Sequence, residues 1–454
     1  MHGFSKTTMN LVCFMALLAL TTNLSAKQVA SETNPAPASK TSLTNKTTEV
    51  SNNKIMALTA QELWKLKSTD GRSHAIDALA LGRSDKTDVL YVVEGVQDPS
   101  SIKKTGPVAG EYLLWTLDTK GRVLNKELIA NSPYPRSPSQ ATIVPLPAPA
   151  GGVIVIGRFE EETTAKPIYS FLRVDGKGKI VKSTHLPFVS CGYTTAALLS
   201  DKKHLLLASA EEVQKTDLDG NVIWKKDCKH KSDVPQRRTR DKIAASLLSD
   251  ITLTDTTGAF IAVGDVGLIN KFGLGKRSVW LKRCNASGNV VSETIFPGRR
   301  PFIGTLTKDR FILVYDTSFD WKHDCRIRAI DSNLKSEWEK ETPFIAVSWL
   351  DHPVLACLSS GRGFLLAGCN IVPDKEKRTA RGECKLCQYD THGQIVASAQ
   401  IPLKEKRHLV FTHLTCDDNH AYLAIRTKGG SPLDANESAV FKIPLRKETP
   451  RKQK

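Results

Sequence analysis

Cysteine is the residue type whose spacing most directly invites chemistry in this chain. Nine of the ten cysteines stand at positions 191, 228, 284, 325, 357, 369, 384, 387 and 416. Cys384-Lys385-Leu386-Cys387 has the CxxC spacing of a redox or zinc site. A zinc site needs a second pair or histidines at ligand spacing, and a thioredoxin-like site opens a helix. This motif lies instead in a β-rich stretch, where residues three apart face opposite ways. A structural role is therefore expected. If the hairpin from "FLLAGC" to "CKLCQYD" is symmetric, Cys369 lies opposite Cys384, and a cross-strand disulfide between them is the leading pairing. An odd cysteine count in an oxidising compartment leaves one thiol over.

Other constellations are thinner. Asp217, Asp219 and Asn221 around Gly220 match a fragment of a calcium loop, without its downstream bidentate Glu. No Gly-x-Ser-x-Gly, His-Glu-x-x-His or phosphate-cradling glycine loop occurs, and the histidines are scattered singly, so no catalytic residue, metal ligand or cofactor is nominated. Positive charge is the stronger signal. The formal net charge is +17, which favours anionic partners. Much of it is clustered: Arg237, Arg238 and Arg240, then Lys276 and Arg277, then Arg299 and Arg300. Arginine meets sulfate, phosphate or carboxylate oxygens with two parallel hydrogen bonds.

What must position these groups is a repeat. Six turns share one pattern: "LDTKGRV" from Leu117, "VDGKGKI" from Val174, "TDLDGNV" from Thr216, "CNASGNV" from Cys284, "IDSNLKS" from Ile330 and "YDTHGQI" from Tyr389. Asp or Asn can hydrogen-bond its own backbone two residues on, and Gly supplies the positive φ of a tight hairpin. Seven buried-strand runs accompany them: "DVLYVVEGV", "GGVIVIGRF", "KHLLLASA", "GAFIAVGDV", "DRFILVYD", "GRGFLLAGC" and "NHAYLAIRT". Each is preceded by a shorter apolar segment, so the unit is four strands, and helical periodicity is nearly absent. The expected fold is all-β, a seven-bladed β-propeller of four-stranded blades. The seventh unit ends at "SAVFKIPLR" without a fourth strand. The segment "IMALTAQELWKLKS" from Ile55 is expected to supply it, closing the ring; Thr59 with Glu62 also fits a helix capping box, which leaves a short helix as the alternative.

The turns followed by Trp, "DGNVIWKKD" from Asp219 and "NLKSEWEKE" from Asn333, resemble the blade ends of bacterial quinoprotein-like (PQQ-like) propellers. The resemblance spans the repeat region and implies the fold. Those enzymes hold their quinone with a vicinal Cys-Cys disulfide, and no two cysteines are adjacent here, so the resemblance implies no cofactor and no catalytic residue.

In a propeller, loops joining second to third strands and blade to blade emerge on one face. That places Arg237, Arg238, Arg240, Lys276, Arg277, Arg299 and Arg300 together, opposite the Asp-led turns. The expected function is a noncatalytic binding scaffold for an anionic glycan, a lipid head group or an acidic protein surface. Nucleic acid is disfavoured because the basic loops lack interleaved aromatics. The competing readings are loops charged only because they are wet, and a secreted propeller enzyme acting on a polysaccharide or other extracellular substrate through carboxylates or His at the channel mouth.

At the N-terminus, Lys6 and the apolar run from Leu11 to Leu20 read as a signal peptide over 1–26, too short to span a bilayer. Residues 27–54 are Ser, Thr, Asn, Lys, Ala and Pro with almost no large apolar side chain, and read as a disordered linker. The propeller is expected over 55–446, followed by a basic tail at 447–454. A secreted or periplasmic location follows from the leader.

Overall fold

The seven apolar runs are the second strands of seven antiparallel sheets. A computed structural model describes residues 55–66, 73–84, 87–97, 110–132, 141–147, 151–161, 167–186, 195–209, 212–228, 230, 242–270, 277–317, 323–346, 353–374, 379–401, 408–428 and 437–446. All regular structure among them is strand.

Two N-terminal strands come first, β1 (Met56–Thr59) and β2 (Gln61–Leu66). Blade 1 follows as β3 (Ser73–Ser84), β4 (Thr87–Gln97), β5 (Gly110–Asp118) and β6 (Val123–Ser132). Blade 2 is β7 (Thr142–Pro145), β8 (Val153–Glu161), β9 (Pro167–Val174) and β10 (Ile180–Leu186). Blade 3 is β11 (Thr195–Leu198), β12 (His204–Ala208), β13 (Glu212–Asp217) and β14 (Val222–Asp227). Blade 4 is β15 (Lys242–Leu253), β16 (Phe260–Asn270), β17 (Arg277–Cys284) and β18 (Val290–Pro297). Blade 5 is β19 (Arg299–Thr307), β20 (Arg310–Asp316), β21 (His323–Asp331) and β22 (Ser336–Ala346). Blade 6 is β23 (Val354–Cys357), β24 (Gly363–Asp374), β25 (Thr379–Asp390) and β26 (Ile395–Ile401). Blade 7 takes β27 (His408–Cys416), β28 (His420–Lys428) and β29 (Glu437–Pro444).

The first strands pack side by side in chain order, and β27 packs against β3, so the ring is closed: the chain is a seven-bladed β-propeller. Each second strand is sandwiched between two neighbouring blades. That is why its residues are apolar without alternation, as in Val89–Val93, Phe260–Val263 and Phe311–Val314, all fully buried. At roughly 2 kcal/mol per buried large side chain, these stacked faces supply the cohesion of the ring.

Closure uses the N-terminus, as expected, but in two steps. Strand β2 pairs antiparallel with β29, from Gln61 opposite Lys442 to Leu66 opposite Ser438, and is the fourth strand of blade 7. Strand β1 then crosses to blade 6 and pairs parallel with β26, from Met56 opposite Ala397 to Thr59 opposite Gln400. The alternative of a short helix from Thr59 is overturned, because two open sheet edges offer this segment a complete ladder that a capping box cannot match.

The six Asp- or Asn-led turns are one structure. In the first, Asp118 Oδ1 accepts from the backbone N–H groups of Lys120 and Arg122, both at 2.9 Å. Asp175, Asp217, Asn285, Asp331 and Asp390 each accept from the residues two and four ahead in the same way. These turns serve the space between blades as well as the hairpin. Gly393 has φ 70°, and a Cβ there would stand 2.6 Å from the ring of Trp338 on the preceding blade. Trp338 stacks on Phe364 at 6.5 Å, and Trp224 repeats the arrangement on Phe260 at 6.5 Å. The blade-end tryptophans of the sequence are thus interblade wedges.

Candidate functional site

Because first-to-second and third-to-fourth connections share one end of each antiparallel sheet, the Asp-led turns lie on one face. The other connections lie on the opposite face. Arg277 opens β17 and Arg299 and Arg300 open β19, so all three sit on that second face, as the sequence implies. They converge where blades 4 and 5 meet. What the sequence reading missed is that two carboxylates meet them there. Arg277 Nη1 donates to Asp265 Oδ2 at 3.1 Å, and the backbone N–H of Arg300 donates to the same oxygen at 3.1 Å. Arg299 Nε and Arg300 Nη1 lie 3.7 and 3.8 Å from Asp316 Oδ2.

This rim is part-buried. Asp316 has no exposed side-chain surface, while Arg300 and Arg277 keep 24 and 21% of theirs. Burial, and next the neighbouring Arg300, lower Arg299 from its ordinary value, with Asp316 acting against them. Among the described residues, three guanidinium groups and two carboxylates meet here. Arg300 is held at φ 50°, a left-handed conformation that costs a non-glycine residue on the order of 1 kcal/mol. Before it, Gly298 runs so close to both blades that a Cβ would meet Tyr315 of blade 5 at 2.8 Å and Val279 of blade 4 at 3.0 Å. Arg237, Arg238, Arg240 and Lys276 lie outside the described residues.

A second polar group lines the seam between blades 7 and 1. His74 Nδ1 and Glu94 Oε1 are 2.5 Å apart, and Trp115 Nε1 donates to Glu94 Oε2 at 2.6 Å. His413 Nε2 donates to the backbone carbonyl of Asp77 at 2.6 Å, and burial drives this imidazole down to about 4. Burial also pushes the Asp77 carboxyl well above the usual carboxylate range, against the pull of Arg426. Gly95 opens the space for it, since a Cβ there would stand 2.6 Å from Asp77 Oδ2. On the inner wall, Asp250 ties three blades: its carboxylate accepts from Thr195 Oγ1 at 2.9 Å and from the Ile303 N–H at 3.1 Å, and burial pushes it up to about 6.

The cysteine register is as expected, but the bond is not formed. Cys369 and Cys384 are directly opposed on β24 and β25. Their sulfurs are 3.2 Å apart, longer than the roughly 2.05 Å of a disulfide, so they are thiols in this structure. The CxxC is split between two interfaces: Cys384 packs with blade 7 and Cys387 with blade 5. Asp217 is occupied by its turn, and Asp219 pairs with Arg173 at 3.1 Å and Lys182 at 3.7 Å. Among the described residues no group of three or more His, Cys, Asp or Glu side chains converges on a cation position.

No protein-family model and no curated protein sequence matches the chain. Solved structures do align with the chain. The chain is similar to the polysaccharide lyase Uly1, with 10% identity and a TM-score of 0.44 over 82% of this chain and 90% of that one. It is similar also to the WD40 domain of SCAP from fission yeast, with 10% identity and a TM-score of 0.41 over 85% and 98%. A GH43 β-1,3-galactosidase in complex with galactodeoxynojirimycin aligns at 10% identity and a TM-score of 0.32 over 72% and 94%. These likenesses concern the propeller alone.

The missed residues had a legible signal. Asp265 and Asp316 each end an otherwise apolar run, "FIAVGD" and "FILVYD". A carboxylate following an apolar run within a buried strand needs a cation, and the sequence reading counted the arginines without assigning them this duty. For His413 and Asp77 no such signal exists, because they meet only when the last blade closes on the first.

Proposed function

We propose that the chain is an exported, noncatalytic binding scaffold that holds an anionic ligand at the rim where blades 4 and 5 meet. The observation that supports this reading is the convergence of Arg277, Arg299 and Arg300 beside Asp265 and Asp316, with Arg300 in a left-handed conformation. Asp265 and Asp316 hold the guanidinium groups in place in advance. A ligand anion then meets an ordered site and gains charge-assisted hydrogen bonds without ordering flexible side chains. Sulfated or carboxylated glycans, lipid head groups and acidic protein surfaces share the required chemistry. Export rests on the leader-like residues 1–26, and in an oxidising compartment the Cys369–Cys384 contact becomes a disulfide.

The enzyme reading draws on the Glu94–His74 pair, since a carboxylate holding Nδ1 leaves Nε2 as a base. The side chains are only 1 and 13% exposed, inside the seam, where a polymer substrate does not reach. The binder is therefore preferred. Its test is retention on dextran sulfate beads. Arg300→Gln should elute at lower salt than the parent, Arg300→Lys in between, and Lys177→Gln, which removes one charge from the opposite face, close to the parent. Equal elution of Arg300→Gln and Lys177→Gln would mean that only net charge matters and would remove the reading.

A further inference from the structure

We infer that Cys228 and Cys284 are a second covalent cross-link, a disulfide that staples blade 3 to blade 4. Cys228 directly follows β14, the outer strand of blade 3, and Cys284 ends β17, the third strand of blade 4. Both side chains are buried, in one apolar cluster with Val213 and Phe260. The two thiols are near enough for each to act on the ionisation of the other, and Lys282, two residues before Cys284 on the same side of β17, reaches the Cys228 carbonyl. Bonding requires the two sulfurs to close to about 2.05 Å.

The surroundings favour the chemistry. Lys282 lies beside the pair, its Nζ 3.3 Å from the Cys228 carbonyl and 4.0 Å from Glu293 Oε1. The contact with Cys284 lowers the Cys228 thiol from its ordinary value, and the same contact with burial raises Cys284, so Cys228 ionises first. With oxidised glutathione as oxidant during folding, before the interface closes and buries both side chains, the Cys228 thiolate attacks one glutathione sulfur and releases the other as a thiolate. The Cys284 thiolate then attacks Cys228 Sγ in the mixed disulfide and releases the second. The two electrons and two protons of the protein thiols leave as two reduced glutathione molecules.

The position gives the bond its value. Cys369 and Cys384 lie within blade 6, across strands already joined by a ladder. Cys228 and Cys284 lie across an interface held by side-chain packing, where a covalent tie restrains blade separation. Cys416, by contrast, donates to the Cys357 carbonyl at 3.5 Å, so no bond is assigned between those two.

The experiment is disulfide mapping of the full chain refolded in a glutathione redox buffer, alkylated under denaturing conditions and digested without reduction. Supplying the oxidant makes the result independent of where the protein resides and of what it binds. The Cys228 peptide should appear linked to the Cys284 peptide. Unfolding in denaturant should be about ten-fold slower for the oxidised parent than after dithiothreitol. Cys228→Ala/Cys284→Ala should show no such dependence on this bond, and comparing the parent with itself guards against a loosened core in that variant. Recovery of both cysteines alkylated, or of Cys228 joined to another cysteine, overturns the assignment. A mapped bond without any change in unfolding rate overturns the stapling role.

Discussion

His413 offers a direct measurement of how the ring is closed. Its folded value is about 4, against an unfolded value of about 6.5, because burial beneath blade 1 disfavours the charged ring and outweighs the opposing hydrogen bond from Nε2 to the Asp77 carbonyl. The unfolded chain therefore binds the extra proton between pH 6.5 and 4, and stability falls as pH falls through that window. The slope is about 1.4 kcal/mol per pH unit, or about 3 kcal/mol in all. Asp250 works in the opposite sense. Raised to about 6, it stays protonated in the folded state over a range where the unfolded carboxyl has ionised, so its contribution is present at pH 4 and lost as pH rises through 6. From pH 4 to 6 the two slopes cancel. His413→Gln, which keeps an N–H donor, should leave the Asp250 slope exposed, so that the variant loses stability relative to its own pH 4 value as pH rises. Relative to the parent at each pH, Asp250→Asn should lose stability as pH falls instead. Asp77, also raised by burial, titrates in the same sense as Asp250 and is common to all variants. Urea unfolding midpoints at half-unit steps from pH 4 to 7 read these differences. Parallel curves for the parent and His413→Gln would show that His413 titrates normally and that the seam is open to water.

Three further outcomes follow from the packing. Leu334 stands where the sibling turns have Gly, with φ 66° and its side chain buried, so Leu334→Ala should cost more than Leu334→Gly; thermal melts should separate them by about 1 kcal/mol, the penalty that Gly relieves. Gly393→Ala drives a Cβ into Trp338 at a positive φ and should cost about 3 kcal/mol, whereas Gly176→Ala, in a turn without that contact, serves as the control in the same denaturation series. Deleting residues 55–66 bares the edges of blades 6 and 7 and should yield aggregation or a marked fall in melting temperature by scattering and calorimetry, while deleting only 55–59 bares blade 6 alone and should fall between.

The blade count, the four-stranded unit and the turns were legible because they are local. An Asp or Asn that caps its own turn, a Gly that takes a positive φ and an apolar run long enough for a strand each act within about ten residues, and repetition multiplies the signal. The opposed Cys369 and Cys384 were legible for the same reason, since register within one hairpin is a short-range property. That the N-terminus closes the ring could be inferred from a missing strand, but its division between blades 7 and 6 could not, because two open edges compete for one segment. The arginine rim shows the same divide. Charge clusters are visible in the sequence, whereas Asp265 and Asp316, drawn from two blades, neutralise much of that charge only once the blades are stacked. His413 and Asp77, more than three hundred residues apart, acquire shifted protonation only when blade 7 meets blade 1. Residue types and local spacing determined the propeller and the face on which Arg277, Arg299 and Arg300 lie. The tertiary structure decided which charges are paired, which thiols touch and which groups are dry, because those properties depend on distances between blades that no local stretch of chain encodes.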